Sequence, residues 1–421
     1  MGKNSWKRRE FLGAAGLGAA AVAASPAAVG RAGRGANDTI RVGILGPGGR
    51  GTQDMNDCIE HGRQYNARVT AICDIWNERR DAASTRLKNV YGTAPKVYRR
   101  MEDLLADRDI DAVIIGTADH QHGQMLKAVV EAGKDAYCEK PMANVMAEAV
   151  AALEAVKRTG KVVQIGTQRR SWPHYREAAR KMQKGIIGDI LRVQIIQNEY
   201  SPYRWARKDS ELAALKESDV DWKAFLLGKP DRPFDPRIYR SFRLFKDFSS
   251  GIIDQRLSHA IDTVHMLTGE SYPRSAVAHG GIYRFHDYRE NPDTLEVLLE
   301  YGDGNKKFLC SYAVCLANGT GKTFAILGSR GSLEVEFTWR WSGEGIKSQD
   351  RIYTEDYWDP PAALHHMANW LDCVRRRDSA GLYCGADAGY GHSVACILAT
   401  DAYWSGCRKT FDPVKNSIQT G

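Results

Sequence analysis

The stretch IRVGILGPGGRG, residues 40–51, decides how this chain is read, because a short apolar run empties directly into glycines at positions 46, 48 and 51. Gly46 permits a tight turn after a strand, Gly48 lets a pyrophosphate approach bare backbone, and Gly51 lets the following helix pack close to the strand. The N-terminus of that helix then faces the phosphates. A second run, residues 67–74 (ARVTAICD), ends in a carboxylate 23 residues after Gly51, where a ribose-binding acid belongs. Asp74 is placed to accept hydrogen bonds from both ribose hydroxyls and to repel a 2′-phosphate, which favours NAD. Arg79 and Arg80 lie a little further on and leave NADP open. Strand, turn, helix, strand and acid in this order distinguish the motif from a lone glycine-rich turn.

With 421 residues the chain has room for two domains, each with its own core. Residues 1–36 belong to neither. Ser5-Trp6-Lys7-Arg8-Arg9-Glu10-Phe11-Leu12, followed by an Ala/Gly run, reads as a twin-arginine export signal. That run is too short and too weakly apolar for a membrane anchor. The expectation is a periplasmic or secreted protein whose partners include the twin-arginine machinery. The net charge of +8 owes most to this leader, and the remainder carries about +3, which makes no case for nucleic acid. Nine cysteines without a C-x-x-C pair read as buried free thiols. Free thiols agree with a chain folded in a reducing compartment before export.

From Ile40 to about Gln168, short apolar strands alternate with helices: strand 111–116, helix 120–132, strand 135–138, helix 144–159, strand 161–166. This predicts a doubly wound, parallel-sheet Rossmann domain over 39–168. Beyond it come longer strands at 191–199, 294–301, 306–316, 322–327 and 332–338, with hairpin-like turns at Gly302-Asp303-Gly304 and Ser329-Arg330-Gly331. These predict a second α+β domain over 169–413, with a mostly antiparallel open sheet. An aromatic and proline-rich stretch, Tyr200 to Phe248, is either an insertion wrapping the active site or a connecting segment.

Glu139-Lys140-Pro141 follows a strand of the nucleotide half and stands at the carboxyl edge of the sheet, where ligands bind in open α/β folds. A lysine there can do acid or base work if burial lowers its pKa. Further on, Asp254-Gln255-Arg256-Leu257-Ser258-His259-Ala260-Ile261-Asp262 supplies a histidine with carboxylates on either side. His259, Asp262 and His265 share a helical face, but the i, i+6 spacing is a poor angular match for a metal, and no metal is assigned. Gly319-Thr320-Gly321-Lys322-Thr323 imitates a P-loop, yet position 316 is leucine and the segment lies between two strands. A hairpin turn is expected there instead. His120 and His122 need no metal, and His365-His366 falls in an amphipathic helix predicted over 362–374.

Together these residues resemble the Gfo/Idh/MocA oxidoreductases, named for glucose–fructose oxidoreductase and inositol dehydrogenase. The resemblance rests on the fingerprint at 43–51, Thr117-Ala118-Asp119-His120-Gln121-His122, Glu139-Lys140-Pro141, Gly166-Thr167-Gln168-Arg169-Arg170, and His259 with Asp262. It spans roughly residues 39–413. It implies that Lys140 and His259 flank a substrate hydroxyl beside the nicotinamide, with Asp254 as a third catalytic candidate. It also implies a cofactor site from Gly46, Gly48, Gly49, Arg50, Gly51, Asp74, Thr117, His122, Glu139 and Lys140, and substrate contacts from Gln168, Arg169, Gln255 and Asp262. A dimer or tetramer through the open sheet is implied as well. One departure stands out: the family places an acid four residues before the histidine, whereas Gln255 stands there and Asp254 is five before. Either a local irregularity re-aims Asp254, or Gln255 bonds a sugar hydroxyl while Lys140 and His259 share the proton work.

The expected function is an exported NAD(P)-dependent oxidoreductase acting on a secondary alcohol of a sugar, glycoside or cyclitol, with a tightly bound cofactor. Two alternatives accompany it. One is a redox-neutral glycoside hydrolase, in which bound NAD⁺ oxidises a hydroxyl, elimination and hydration follow, and the hydride returns. The other is a sugar-binding protein of the same fold without turnover.

Overall fold

The computed structural model describes residues 38–335, 340–343 and 362–421. The export signal read at 1–36 and the end of the strand expected at 332–338 lie outside the described residues.

Strands β1 (Ile40–Leu45), β2 (Ala67–Cys73), β3 (Lys96–Tyr98), β4 (Ala112–Ile115), β5 (Asp135–Cys138) and β6 (Val163–Ile165) form a six-stranded parallel sheet in the order β3-β2-β1-β4-β5-β6. The chain reverses direction across the sheet between β1 and β4, which opens a crevice at their carboxyl ends. β1 and β4 are buried almost throughout, as central parallel strands covered on both faces must be, so both read as continuous apolar runs. Helices α1 (Gly49–Gly62), α2 (Asn77–Tyr91), α3 (Met101–Ala106), α4 (His122–Glu131) and α5 (Met146–Thr159) connect them.

After α6 (Pro173–Gln183), β7 (Ile190–Gln197) opens a second sheet, and three short helices follow: α7 (Asp209–Ala213), α8 (Trp222–Leu226) and α9 (Pro236–Ser241). A five-residue π turn, Ile253–Leu257, then runs into α10 (Ser258–Thr268). The sheet continues through β8 (Ser275–Gly281), β9 (Thr294–Tyr301), β10 (Phe308–Cys315), β11 (Lys322–Gly328), β12 (Gly331–Glu334) and β13 (Arg340–Gly343). Helices α11 (His366–Arg376) and α12 (Ala386–Ser405) precede the last pair, β14 (Lys409–Asp412) and β15 (Ser417–Thr420). The order is β13-β12-β11-β7-β10-β9-β8-β14-β15, antiparallel throughout except for β7 beside β10.

In β9, Leu295, Val297, Leu299 and Tyr301 point to the core while Glu296 and Leu298 point to solvent, the alternation of a sheet covered on one face only. Val277, Leu298 and Leu309 are among the exposed apolar side chains of this sheet. Helix α11 returns to the nucleotide half: Met367, Trp370, Leu371 and Val374 share one core with Ile40, Val42, Met55 and Val69. Trp370 is fully buried there, and truncating it to alanine would cost about 3–5 kcal/mol.

Gly302-Asp303-Gly304 and Ser329-Arg330-Gly331 do link antiparallel neighbours. The segment at Gly319–Gly321 does not. β10 and β11 lie on opposite sides of β7, so this connection passes over the end of β7 and closes no hairpin. A short polar loop looks the same in sequence whether it joins neighbours or skips one strand. The cysteines are all free, and seven of the nine are buried.

Candidate active site

Gly46 has φ +74°, and a Cβ on it would meet Thr117 Cγ2 at 2.8 Å. A Cβ on Gly51 would fall 2.1 Å from the Gly46 carbonyl oxygen, so α1 can approach β1 this closely only through glycine. Gly48 and Gly49 differ: a Cβ on Gly49 would meet nothing within 4 Å, and one on Gly48 only Arg79 Nε at 3.9 Å. The turn therefore presents bare backbone and a helix N-terminus to a cavity of about 690 Å³. Its wall includes this turn, Asp74, Lys140 and His259, a volume and donor set that fit a dinucleotide with a small substrate beside it.

At the end of β2, the Asp74 carboxylate accepts from Trp76 N at 2.8 Å, and burial pushes its pKa up to about 6 against the pull of that bond and of Arg79 and Arg80. Arg80 is occupied, donating to the Asp74 carbonyl at 2.6 Å, while Arg79 lines the cavity beside Gly48.

The 200–248 segment covers this end. Val220 forms a β-bridge with Trp76, and Asp221 N donates to Ile75 O at 3.1 Å. Tyr239 meets Trp76 edge-on at 5.9 Å, and Phe225 stacks between Trp222 (5.2 Å) and Phe248 (5.4 Å). The loop after β4 fastens the cover: His120 Nε2 donates to Phe225 O at 2.8 Å and Gln121 Nε2 to the same oxygen at 3.0 Å. Burial pushes the His120 pKa down to about 4, so the ring is neutral. His122 donates through Nδ1 to Pro141 O at 2.8 Å. These two histidines hold backbone.

At the other end, Glu139 is buried and fully engaged. Its Oε1 accepts from Arg50 Nε (3.0 Å) and Gln168 Nε2 (2.8 Å), and its Oε2 accepts from Lys140 N (3.2 Å). Only glycine fits at 166, where a Cβ would fall 2.4 Å from Glu139 Oε1. Lys140 Nζ donates towards three oxygens: Asp254 O (3.2 Å), Gln255 O (3.3 Å) and Gln255 Oε1 (3.3 Å). The widened π turn presents those two carbonyls to the lysine. Burial lowers the Lys140 pKa, partly countered by Asp119 and Glu139. His259 lines the cavity with its Nδ1 buried and without a hydrogen-bond partner. Burial, then the charges of Lys140 and Arg169, hold its pKa well below the ordinary value, so this imidazole is a neutral base.

The π turn resolves the displaced acid. One extra residue per turn brings Asp254 and His259 into five-residue register, yet Asp254 is not in the cavity wall. Its Oδ2 accepts from Ser250 N at 2.7 Å, and burial with the neighbouring charge of Asp119 pushes its pKa up to about 7. Gln255 takes the wall position four residues before His259. Its Nε2 donates to Asp119 Oδ2 at 2.6 Å, as does Ser249 Oγ at 2.6 Å.

Of the residues expected in the site, Gly46, Gly48, Gly49, Arg50, Asp74, Thr117, His122, Glu139, Lys140, Gln168, Gln255 and His259 line the cavity. Gly51 acts behind it through packing. Arg169 lies off the wall, and Asp262 is fully buried with both oxygens on Arg170 Nε, at 2.8 and 2.9 Å. His265 bonds Tyr301, so the trio weighed for a metal is dispersed. Among the described residues no group of three or more His, Cys, Asp or Glu could hold a metal ion. Sequence reasoning did not assign Asp119 or Phe225, and it gave Tyr and Arg residues of the 200–248 segment to the substrate's hydroxyls without singling out Tyr239 or Arg243; all four line the cavity.

Residues 40–167 match the Gfo/Idh/MocA family, described as an oxidoreductase family with an NAD-binding Rossmann fold. The chain is 32% identical over 192 residues to an inositol 2-dehydrogenase/D-chiro-inositol 3-dehydrogenase of Shouchella clausii, covering 45% of this chain and 53% of that protein. It is 32% identical over 156 residues to an inositol 2-dehydrogenase of Salmonella typhimurium, covering 37% and 45%. The chain thus spans about half the length of the curated relatives it matches. Among solved structures, the WlbA dehydrogenase of Bordetella pertussis with NADH and UDP-GlcNAcA superposes with TM-score 0.65 at 19% identity, covering 89% of this chain and 99% of that one. A levoglucosan dehydrogenase with NADH and levoglucosan gives 0.63 at 17%, covering 91% and 99%. The parallel-sheet domain and the antiparallel domain after it share the fold of these structures.

Proposed function

We propose that the chain is a nicotinamide-dependent dehydrogenase that oxidises a secondary alcohol of a sugar, glycoside or cyclitol, or reduces the matching ketone. The observation that carries this reading is the convergence of Lys140, His259 and Gln255 on the same cavity that opens onto the bare glycine turn. The names of the inositol dehydrogenase relatives point to the same substrate class. Asp74 favours NAD over NADP, since its carboxylate would repel a 2′-phosphate.

The nicotinamide, when bound, supplies the acceptor for the hydride that leaves the carbinol carbon. The residues of the chain handle the proton. Lys140, with its pKa lowered by burial, and neutral His259, with an unpartnered Nδ1, flank the place of the hydroxyl and take its proton. Gln255 orients the lysine and is itself held by Asp119. Asp254 acts behind the wall through its carbonyl on Lys140. The unpartnered His259 Nδ1 and the intact hydrogen-bond chain from Asp119 through Gln255 to Lys140 speak against a protein that only binds sugar.

A redox-neutral glycosidase is the second reading, favoured by the aromatic cover over the nucleotide end. A resident cofactor suits a cycle that returns it to its starting form. Export through the twin-arginine pathway, supported by Arg8-Arg9 and the Ala/Gly run, is part of the proposal, as is association through the open face bearing Val277, Leu298 and Leu309.

The test is to denature protein purified without added nucleotide, quantify released NAD(H) and NADP(H), and then follow reduced nicotinamide and free sugar together with a panel of sugars and glycosides. Stoichiometric reduction that a keto-sugar reverses supports the dehydrogenase. Transient reduction with released aglycone transfers support to the glycosidase. No absorbance change after NAD is supplied would overturn both.

A further inference from the structure

We propose that the substrate carries a carboxylate docked on Arg243, so that the sugars turned over are sugar acids in preference to their neutral counterparts. The inference rests on the dehydrogenase reading and adds the charge class of the substrate to it.

Arg243 follows α9, and its side chain lines the cavity together with Lys140, Gln255 and His259. The guanidinium carbon lies 4.4 Å from the centre of the Phe242 ring, and the backbone carbonyl accepts from Asn291 Nδ2 at 2.9 Å. The residue is therefore held at its backbone, and its guanidinium rests against a ring. Among the described residues, no carboxylate pairs with it and no hydrogen bond reaches its guanidinium, and Nε is buried without a partner. Neighbouring arginines differ: Arg50 pairs with Glu139 and Asp54, and Arg204 with Glu199. The two carboxylates whose charge Arg243 feels are Asp119 and Glu139. Both are occupied, the first by Ser249 and Gln255, the second by Arg50 and Gln168.

A guanidinium keeps its charge under any such burial, and a buried charge without a partner is costly. An incoming anion removes that cost. The phosphates of a dinucleotide belong at the glycine turn, at the helix N-terminus, with Arg79 Nε beside Gly48. Arg243 stands instead within electrostatic reach of Lys140, at the reacting end. A single planar fork with parallel N–H donors matches a carboxylate.

The experiment uses nucleotide-loaded protein and matched pairs: glucose with glucuronate, galactose with galacturonate, and glucose 6-phosphate as a second anion. Steady-state rates and ligand-induced thermal shifts are both read. The inference predicts that a uronate outperforms its neutral partner in kcat/KM and stabilises the loaded protein. In Arg243→Met the uronate KM should rise about 10- to 100-fold, collapsing the acid-to-neutral ratio, and Arg243→Lys should restore part of it. Nucleotide content and melting temperature confirm that each variant folds. Equal use of acid and neutral sugars, a preference for the phosphate, or an unchanged acid preference in Arg243→Met would overturn the inference and leave the dehydrogenase standing. Bound nucleotide that no sugar of either kind reduces would remove the dehydrogenase reading, and the inference with it.

Discussion

Gln255 donates through Nε2 to Asp119 Oδ2 at 2.6 Å while its Oε1 stands 3.3 Å from Lys140 Nζ. One amide thus bridges an acid from the loop after β4 and the lysine after β5. The acid that the helix fails to provide on the cavity wall reaches the lysine by way of a glutamine. Turning the amide over would set its oxygen against the carboxylate, so this bridge has one working orientation.

Asp119→Asn should release that orientation. Asp119 also raises the Lys140 pKa, so its loss lets that pKa fall further. If neutral Lys140 takes the proton, the acidic limb of the pH–rate profile moves to lower pH, while kcat falls about 10- to 100-fold through lost positioning. A profile of unchanged shape would deny the coupling between Asp119 and Lys140.

Asp74 sets a pH dependence on cofactor affinity. Burial holds its folded-state pKa up at about 6, and ribose hydroxyls donate to the ionised carboxylate. Binding therefore favours loss of the proton, and affinity weakens as pH falls through about 6, by up to tenfold per unit. Titration calorimetry with NAD from about pH 8 to about pH 5 should show this slope. Asp74→Asn should abolish it, and a flat wild-type curve would place the ribose elsewhere.

The cover over the nucleotide end should govern retention of the cofactor. Phe225 stacks on Trp222 and Phe248 and meets Tyr239 edge-on. Phe225→Ala removes about 3–5 kcal/mol of packing, concentrated in this segment. Nucleotide release, followed by fluorescence after dilution, should accelerate at least about tenfold. Release at the wild-type rate would mean that the cover does not gate exit.

The nucleotide half was legible because its signals are local: Gly46 answers a positive φ and Gly51 the close approach of the Gly46 carbonyl five residues away, and buried parallel strands are apolar throughout. The substrate end was less so. The π turn leaves apolar periodicity almost unchanged, and its one trace is the five-residue spacing from Asp254 to His259. Asp119 was in view within Thr117–His122, but its partners, Ser249 and Gln255, lie more than 120 residues away. Asp262 shares a helix with His259, yet Arg170 claims it, which only tertiary packing decides. Arg243 carries no local pattern at all, because what marks it is the lack of a partner.

The most direct measurement is a single-turnover reduction of bound nicotinamide by a substrate sugar, comparing the wild type with Lys140→Met. The account predicts that the variant retains its nucleotide and that reduction slows by about 10²- to 10⁴-fold, the range for removal of a general base. Reduction at the wild-type rate would contradict it and take Lys140 out of the mechanism.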